Sequence, residues 1–314
     1  MGREKNPFVD DLARFGPQSA PGKPLSPRRA RKYCRRLASR HYENFTAASW
    51  TLPRGLRQHV CNIYAYCRWA DDLADETGNP EMSLQLLRWW EHELRACYRH
   101  EVRHPVFIAL AETIRRFEIP EDPFVDLLAA FRQDQERIRY ESIDQVLNYC
   151  RYSANPVGRL FLYLGRCHTP ERVRLSDSVC TGLQLANFCQ DIAIDWSRGR
   201  VYLPMVECRR FGYDESMFAA RACNEPFRRL MAAQVDEADG FLERGAALVK
   251  LMPLELQLPV ALFVRGGRAI LHAIRRVRYD VWNQRPSVSR AEKLKIFWRS
   301  WWQHQRGKLG KEVL

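Results

Sequence analysis

Four aspartates in this chain stand as two helix-spaced pairs, and each pair is extended in phase by other polar side chains. The first lies in LRQHVCNIYAYCRWADDLADE, residues 56–76, where Tyr64, Arg68, Asp71 and Asp75 follow one another at offsets 0, 4, 7 and 11. Those offsets mark a single stripe along a helix. The second lies in LQLANFCQDIAID, residues 183–195, where Gln184, Asn187, Asp191 and Asp195 stand at offsets 0, 3, 7 and 11. Around that second stripe the segment is apolar, with Leu183, Leu185, Ala186, Phe188, Cys189, Ile192, Ala193 and Ile194. A polar stripe on so apolar a helix is a poor solvated surface. Carboxylates one helical turn apart repel by a few tenths of a kcal/mol when exposed and by far more when buried without a partner. Two such pairs in one chain therefore imply a compensating cation. An all-oxygen donor set selects a hard ion, Mg²⁺ with Mn²⁺ as a substitute, over zinc. Mg²⁺ shares its sphere with substrate phosphates, so the chemistry implied is metal-assisted departure of a diphosphate.

Basic residues accompany both stripes. Arg68 is in phase with the aspartates and so placed either to pair with Asp72 at i+4 or to hold a phosphate oxygen. Arg198 and Arg200 flank Gly199 just past Asp195. They read either as a basic helix exit or as a flap laying guanidinium groups over a diphosphate. An isolated D-x-x-x-D on a helix is ordinary surface charge; two of them about 120 residues apart, both extended in phase, are not.

The elements that must carry these stripes are helices. Apolar-periodic segments of roughly 10–25 residues run from Ser26 onward between short Pro and Gly breaks such as Gly78-Asn-Pro, His104-Pro, Asn155-Pro and Thr169-Pro. No sustained apolar/polar alternation marks a strand, and no internal repeat stands out. The expectation is an all-α protein of about ten helices in a single domain at residues 28–298. A Pro-rich basic leader at 1–27, read as extended, precedes it, and a basic tail at 299–314 follows. At 46% hydrophobic and 28% charged residues the chain is globular rather than disordered. The ten cysteines form no C-x-x-C pair and no zinc spacing, and the eight histidines no H-E-x-x-H, so a reduced, zinc-free protein is expected.

The net charge of +13 belongs to the two ends: residues 1–40 hold 11 Lys/Arg against 3 Asp/Glu, residues 285–314 hold 8 against 2, and the remainder sums to −1. With a balanced body the chain is not expected to bind nucleic acid. No run of 18 apolar residues and no signal-peptide core are present, so a cytoplasmic protein is expected, its basic ends drawing it to the inner face of the membrane.

CRWADDLADE and QLANFCQDIAIDWSRGRVYLP resemble the two aspartate-rich motifs of the squalene/phytoene synthase family. The resemblance extends from about Ser39 to Lys295 and takes in HYENFTAASWTLPRGLRQHVCNIYAYCRWADD and LHAIRRVRYDVWNQRPSVSR. It implies the all-helical trans-isoprenoid synthase fold with a central apolar cavity for prenyl chains, and dependence on Mg²⁺. By position it makes Asp71, Asp75, Asp191 and Asp195 the catalytic carboxylates and, with Asn187, the metal ligands. Tyr64, Arg68, Gln184, Gln190 and Arg200 line the diphosphate end, and Tyr42, Asn44 and Phe45 of HYENF contact substrate. Three segments, HYENF, SANPVGR (153–159) and NFCQD with Gln190, are similar to the branch that forms hydroxysqualene in bacterial squalene and hopanoid biosynthesis. That branch removes pyrophosphate from presqualene diphosphate, rearranges the cation and captures it with water, without NADPH. Neighbouring enzymes of squalene biosynthesis are its implied partners. Asn44, Asn155 and Tyr152 are candidates for holding the capturing water. Asn155 is expected to break a helix, with Pro156 freeing a carbonyl one turn earlier. Arg268 stands where some family members carry a substrate-contacting Tyr. Head-to-head condensation of two prenyl diphosphates remains the alternative. The second motif lacks the Asn-Ser-Glu spacing of terpene cyclases and the second D-D-x-x-D of head-to-tail synthases.

Overall fold

The computed structural model describes residues 7–19, 23–40, 51–136 and 138–309. These fall into two compact units, one within Met1–Glu43 and Arg54–Glu136, the other within Asn44–Pro53 and Arg137–Leu314. Each is described in turn.

The first unit is built from α1 (Pro7–Phe15), α2 (Pro27–Arg40), α3 (Arg54–Asp75), α4 (Pro80–Tyr98), α5 (Pro105–Phe117) and α6 (Asp122–Glu136). The Pro breaks of the sequence are helix starts. Asn79 accepts hydrogen bonds from the Glu81 and Met82 amides ahead of Pro80, and His104 accepts from Val106 ahead of Pro105. Proline at the first helical position supplies the right φ where no amide is needed. The 1–27 stretch, expected to be extended, contains α1. Phe8 of that helix is buried against Trp69, with ring centroids 5.5 Å apart, and Asp11 accepts from the Tyr33 hydroxyl at 2.9 Å. These tertiary contacts outweigh the local Pro content.

The back of α3 is fixed by a buried polar network. Asn62 donates to the Ala109 carbonyl at 2.9 Å and to Thr113 Oγ1 at 3.0 Å, and Gln58 donates to Asn62 Oδ1 at 2.8 Å. Further along, Trp69 stacks on Trp90 at 5.3 Å, and His104 stands edge-on to both rings, at 4.5 and 4.8 Å. With its back face so held, α3 keeps the Tyr64–Asp75 stripe in a fixed orientation. Burial pushes His104 down to about 3 from an ordinary 6.5, and lowers His59 and His168 too. Below pH 6.5 the unfolded chain takes up protons that the native chain refuses, so stability falls as pH drops through that range. For His104 the loss is about 1.4 kcal/mol for each pH unit. His104→Asn keeps a capping acceptor; urea denaturation at stepped pH is expected to show a lower stability overall but a shallower acid decline.

The second unit comprises β1 (Arg139–Tyr140), α7 (Ile143–Ser153), α8 (Asn155–Leu164), α9 (Pro170–Gln190), α10 (Ile192–Ser197), β2 (Val201–Pro204), α11 (Met205–Arg210), α12 (Glu215–Ala219), α13 (Glu225–Gly245), α14 (Leu248–Leu251), α15 (Leu254–Arg276) and α16 (Arg290–Gln305). Sixteen helices are thus present among the described residues, not about ten. Four of the additional ones have only 4–6 residues, too short to display a helical period. The β1–β2 pair, parallel and with an irregular register, was not expected either. All four residues of β2 are buried, so they show no alternation.

α9 and α13 approach closely through glycine. A Cβ on Gly182 would meet the Leu242 amide nitrogen at 2.9 Å, and one on Gly245 the Val179 amide nitrogen at 2.8 Å. α8 starts where the sequence suggested a broken helix: α7 ends at Ser153, and Asn155 and Pro156 open a new helix. All ten cysteines are free, and among the described residues no helix is long and apolar enough to cross a membrane.

Candidate active site

On α3 the first stripe is half open to solvent. Tyr64, Arg68 and Asp71 are half-buried and Asp75 is exposed. Arg68 answers both carboxylates within reach: Nη1 donates to Asp71 Oδ2 at 3.0 Å and Nη2 to Asp72 Oδ1. The i+4 pairing read from the sequence is therefore present, and Asp71, one turn along the same stripe, shares the guanidinium. Asp72 is the buried member, its side chain 6% exposed against 43% for Asp71. Burial pushes Asp72 up to about 6, against the pull of Arg68. Burial opposes the Arg68 charge, but Asp72 and Asp71 outweigh it and raise that group. Burial likewise takes Tyr64 up to about 12.

The second stripe is divided between two helices rather than lying on one. Asp191 leaves helical geometry, with φ −105° and ψ 16°, and closes α9 while opening α10. The break is slight. The Asp191 amide donates to the Asn187 carbonyl and the Asp195 amide to the Asp191 carbonyl, both at 2.9 Å, so backbone bonding runs through it. Gln184, Asn187 and Asp191 stay in sequence along α9, and Asp195 follows one turn later on α10. Asn187 is exposed, whereas Gln184, Asp191 and Asp195 are half-buried.

Arg285, which the sequence reading did not single out, grips Asp191 with two bonds. Its Nε donates to Oδ1 at 2.6 Å and its Nη2 to Oδ2 at 3.1 Å. The Asp191 carboxylate raises the arginine in turn. Gln190 is buried against the same segment: its Nε2 donates to the Pro286 carbonyl at 2.5 Å, and its Oε1 accepts from Arg285 at 3.4 Å.

The loop after α10 is anchored. Gly199 has φ +76°, and its carbonyl accepts from Arg139 at 2.8 Å, while the Arg139 guanidinium lies 5.4 Å from the Trp196 ring centroid. Arg198 is exposed; Arg200 is half-buried and lines a small cavity with Asp195, Ile192, Phe188 and Tyr202. Asn155 is buried, and its amide oxygen accepts from Thr181 at 3.0 Å, so that oxygen is engaged by α9. Arg268 pairs with Asp239 at 2.8 Å. Tyr42, Asn44 and Phe45 lie outside the described residues.

Each stripe thus presents two carboxylates in an all-oxygen donor set. Among the described residues no group of three or more His, Cys, Asp or Glu side chains gathers as a metal site.

The sequence model of the squalene/phytoene synthase family matches residues 38–292. The chain belongs to that family. Its fold is the all-α trans-isoprenoid synthase fold. Squalene synthase HpnC from Alicyclobacillus acidocaldarius is 42% identical, with a TM-score of 0.77 over 82% of this chain and 97% of that one. A dehydrosqualene synthase solved with a ligand is 25% identical, with a TM-score of 0.79 over 87% and 95%. The phytoene synthase of Arthrospira platensis is 29% identical over 83% of this chain and 89% of its own length. The chain is an enzyme of the isoprenoid synthase type.

Proposed function

We propose that this member of the family converts presqualene diphosphate to hydroxysqualene. The observation that carries the reading is the 42% identity to squalene synthase HpnC over nearly the whole of that protein, against 29% to the Arthrospira phytoene synthase. HYENF, SANPVGR and Gln190 support the same branch. Asp71, Asp75, Asn187, Asp191 and Asp195 would hold Mg²⁺, or Mn²⁺ in its place. When bound, the ion neutralises charge on the departing diphosphate.

The protein's own groups do the rest. Tyr64, as a protonated phenol, donates to phosphate oxygen, and Arg68 and Arg200 offer guanidinium forks to the same group. The carbon–oxygen bond to diphosphate breaks with its electron pair leaving on oxygen. The cyclopropylcarbinyl cation rearranges, water adds to it, and one proton is lost to solvent. No reductant enters, so NADPH is not required.

The test uses presqualene diphosphate in ¹⁸O water, with and without NADPH. A labelled C30 alcohol formed under both conditions is the expected product. Squalene appearing only with NADPH overturns the reading. So does presqualene diphosphate or phytoene accumulating from farnesyl or geranylgeranyl diphosphate. That second outcome is the head-to-head condensation that the phytoene synthase relatives favour.

A further inference from the structure

α16 buries Ser300, half-buries Ile296, Phe297 and Gln303, and leaves a row of large apolar side chains open on another side, which an ordinary surface helix does not. Against α15, Arg265 Nη1 donates to Ser300 Oγ at 2.7 Å and Nη2 to Gln303 Oε1 at 2.5 Å, and Ser300 is fully buried. On the other side Leu294, Trp298 and Trp302, spaced at i, i+4 and i+8, form one row and are 58%, 52% and 54% exposed. Trp301 widens the row through edge-on contacts with Trp298 at 5.6 Å and Trp302 at 5.7 Å. Exposed apolar side chains scattered singly need no explanation, but a contiguous row of this size does. Lys295 and Arg299 follow the row by one residue, on its flank, and are exposed. The Arg306 guanidinium stands 5.3 Å from the Trp302 ring centroid.

We propose that this face of α16 docks on an anionic lipid bilayer, with the helix lying in the plane of the interface. Leu294, Trp298 and Trp302 enter the boundary between headgroups and acyl chains, and Lys295, Arg299 and Arg306 meet the headgroup phosphates. Tryptophan combines a large apolar body with one N–H donor and suits that boundary. Charge decides against a second copy of the chain: Lys295, Arg299 and Arg306 are exposed beside the row, so two such faces repel, whereas anionic lipid attracts them. The expected role of the basic termini thereby becomes a particular ordered surface in which aromatic insertion and charge act together. This holds whichever prenyl diphosphate is the substrate.

The experiment is co-sedimentation of the full chain with phosphatidylcholine vesicles containing or lacking phosphatidylglycerol, with lipids brominated on the acyl chain to report tryptophan insertion. Binding to the phosphatidylglycerol vesicles and quenching of emission are expected. Trp298→Ser with Trp302→Ser should weaken binding at least about tenfold and abolish most of the quenching. Lys295→Gln and Arg299→Gln should each weaken it about fivefold at low salt, and less at high salt. Because the replaced side chains are exposed, circular dichroism and thermal melting should match the parent. Absence of vesicle binding overturns the proposal, and so does binding that the double tryptophan variant retains in full. A dimer in sedimentation equilibrium that this variant loses, without vesicle binding in the parent, assigns the face to a second copy instead.

Discussion

Chelation with EDTA is expected to take turnover to background, and added Mg²⁺ to restore it. The reason lies in the donor chemistry. Asp71 and Asp75 on α3, and Asp191 and Asp195 across the α9–α10 break, are carboxylate pairs one turn apart. Asp71 has Arg68 and Asp191 has Arg285 as partner. An incoming diphosphate adds further negative charge to both pairs, which a cation would offset. Mg²⁺ characteristically completes its sphere with substrate phosphates, so cation binding should be weak without diphosphate and tighten strongly with it. Titration calorimetry with Mg²⁺, with and without inorganic pyrophosphate, checks that coupling, and release of diphosphate from substrate checks the activity. Mn²⁺ should substitute and Zn²⁺ should not, since every donor is oxygen. Undiminished turnover in excess chelator contradicts the whole assignment.

The fold was readable because its helix boundaries are marked by local chemistry. Asn79-Pro80, His104-Pro105 and Thr169-Pro170 each combine a capping side chain with a proline at the first helical position, so sequence punctuation and helix starts coincide. The two acidic stripes were readable for a similar reason, since helical spacing is a local property. What stayed hidden depends on long-range packing. The β1–β2 pair joins residues about 60 apart, and α1 forms inside a Pro-rich stretch because Phe8 and Asp11 find Trp69 and Tyr33. Asp72 reads as one of several acidic residues until its burial shows it to be the desolvated one. Arg285 reaches Asp191 across 94 residues, and nothing in the spacing of NQRPSVSR announces that partner. The break at Asp191 was invisible for the opposite reason. It costs so little hydrogen bonding that the apolar period passes through it undisturbed.

Asp191→Ala is expected to lower kcat at least about 10²-fold, the scale set by losing one strong electrostatic stabiliser, and Asp71→Ala to do the same. The bidentate Arg285–Asp191 pair raises a rival account, in which Asp191 serves only to hold Arg285 in place. The two accounts separate on cation binding. If Asp191 is a metal ligand, its loss weakens Mg²⁺ binding measured in the presence of inorganic pyrophosphate. Arg285→Gln removes a positive charge that competes for the same carboxylate oxygens. It should therefore tighten binding of Mg²⁺ alone, by about tenfold if the pair is worth about 1.4 kcal/mol against the cation. If Asp191 merely positions Arg285, both variants leave Mg²⁺ affinity unchanged and lose activity equally, and the double variant loses no more than either alone. Circular dichroism and thermal melting of each variant keep the comparison clean by checking that the fold is retained. On the ligand reading, the resting enzyme thus keeps a built-in cation on Asp191. Arg285 spares that carboxylate, with its side chain 14% exposed, from standing unpaired, and yields it when metal and diphosphate arrive together.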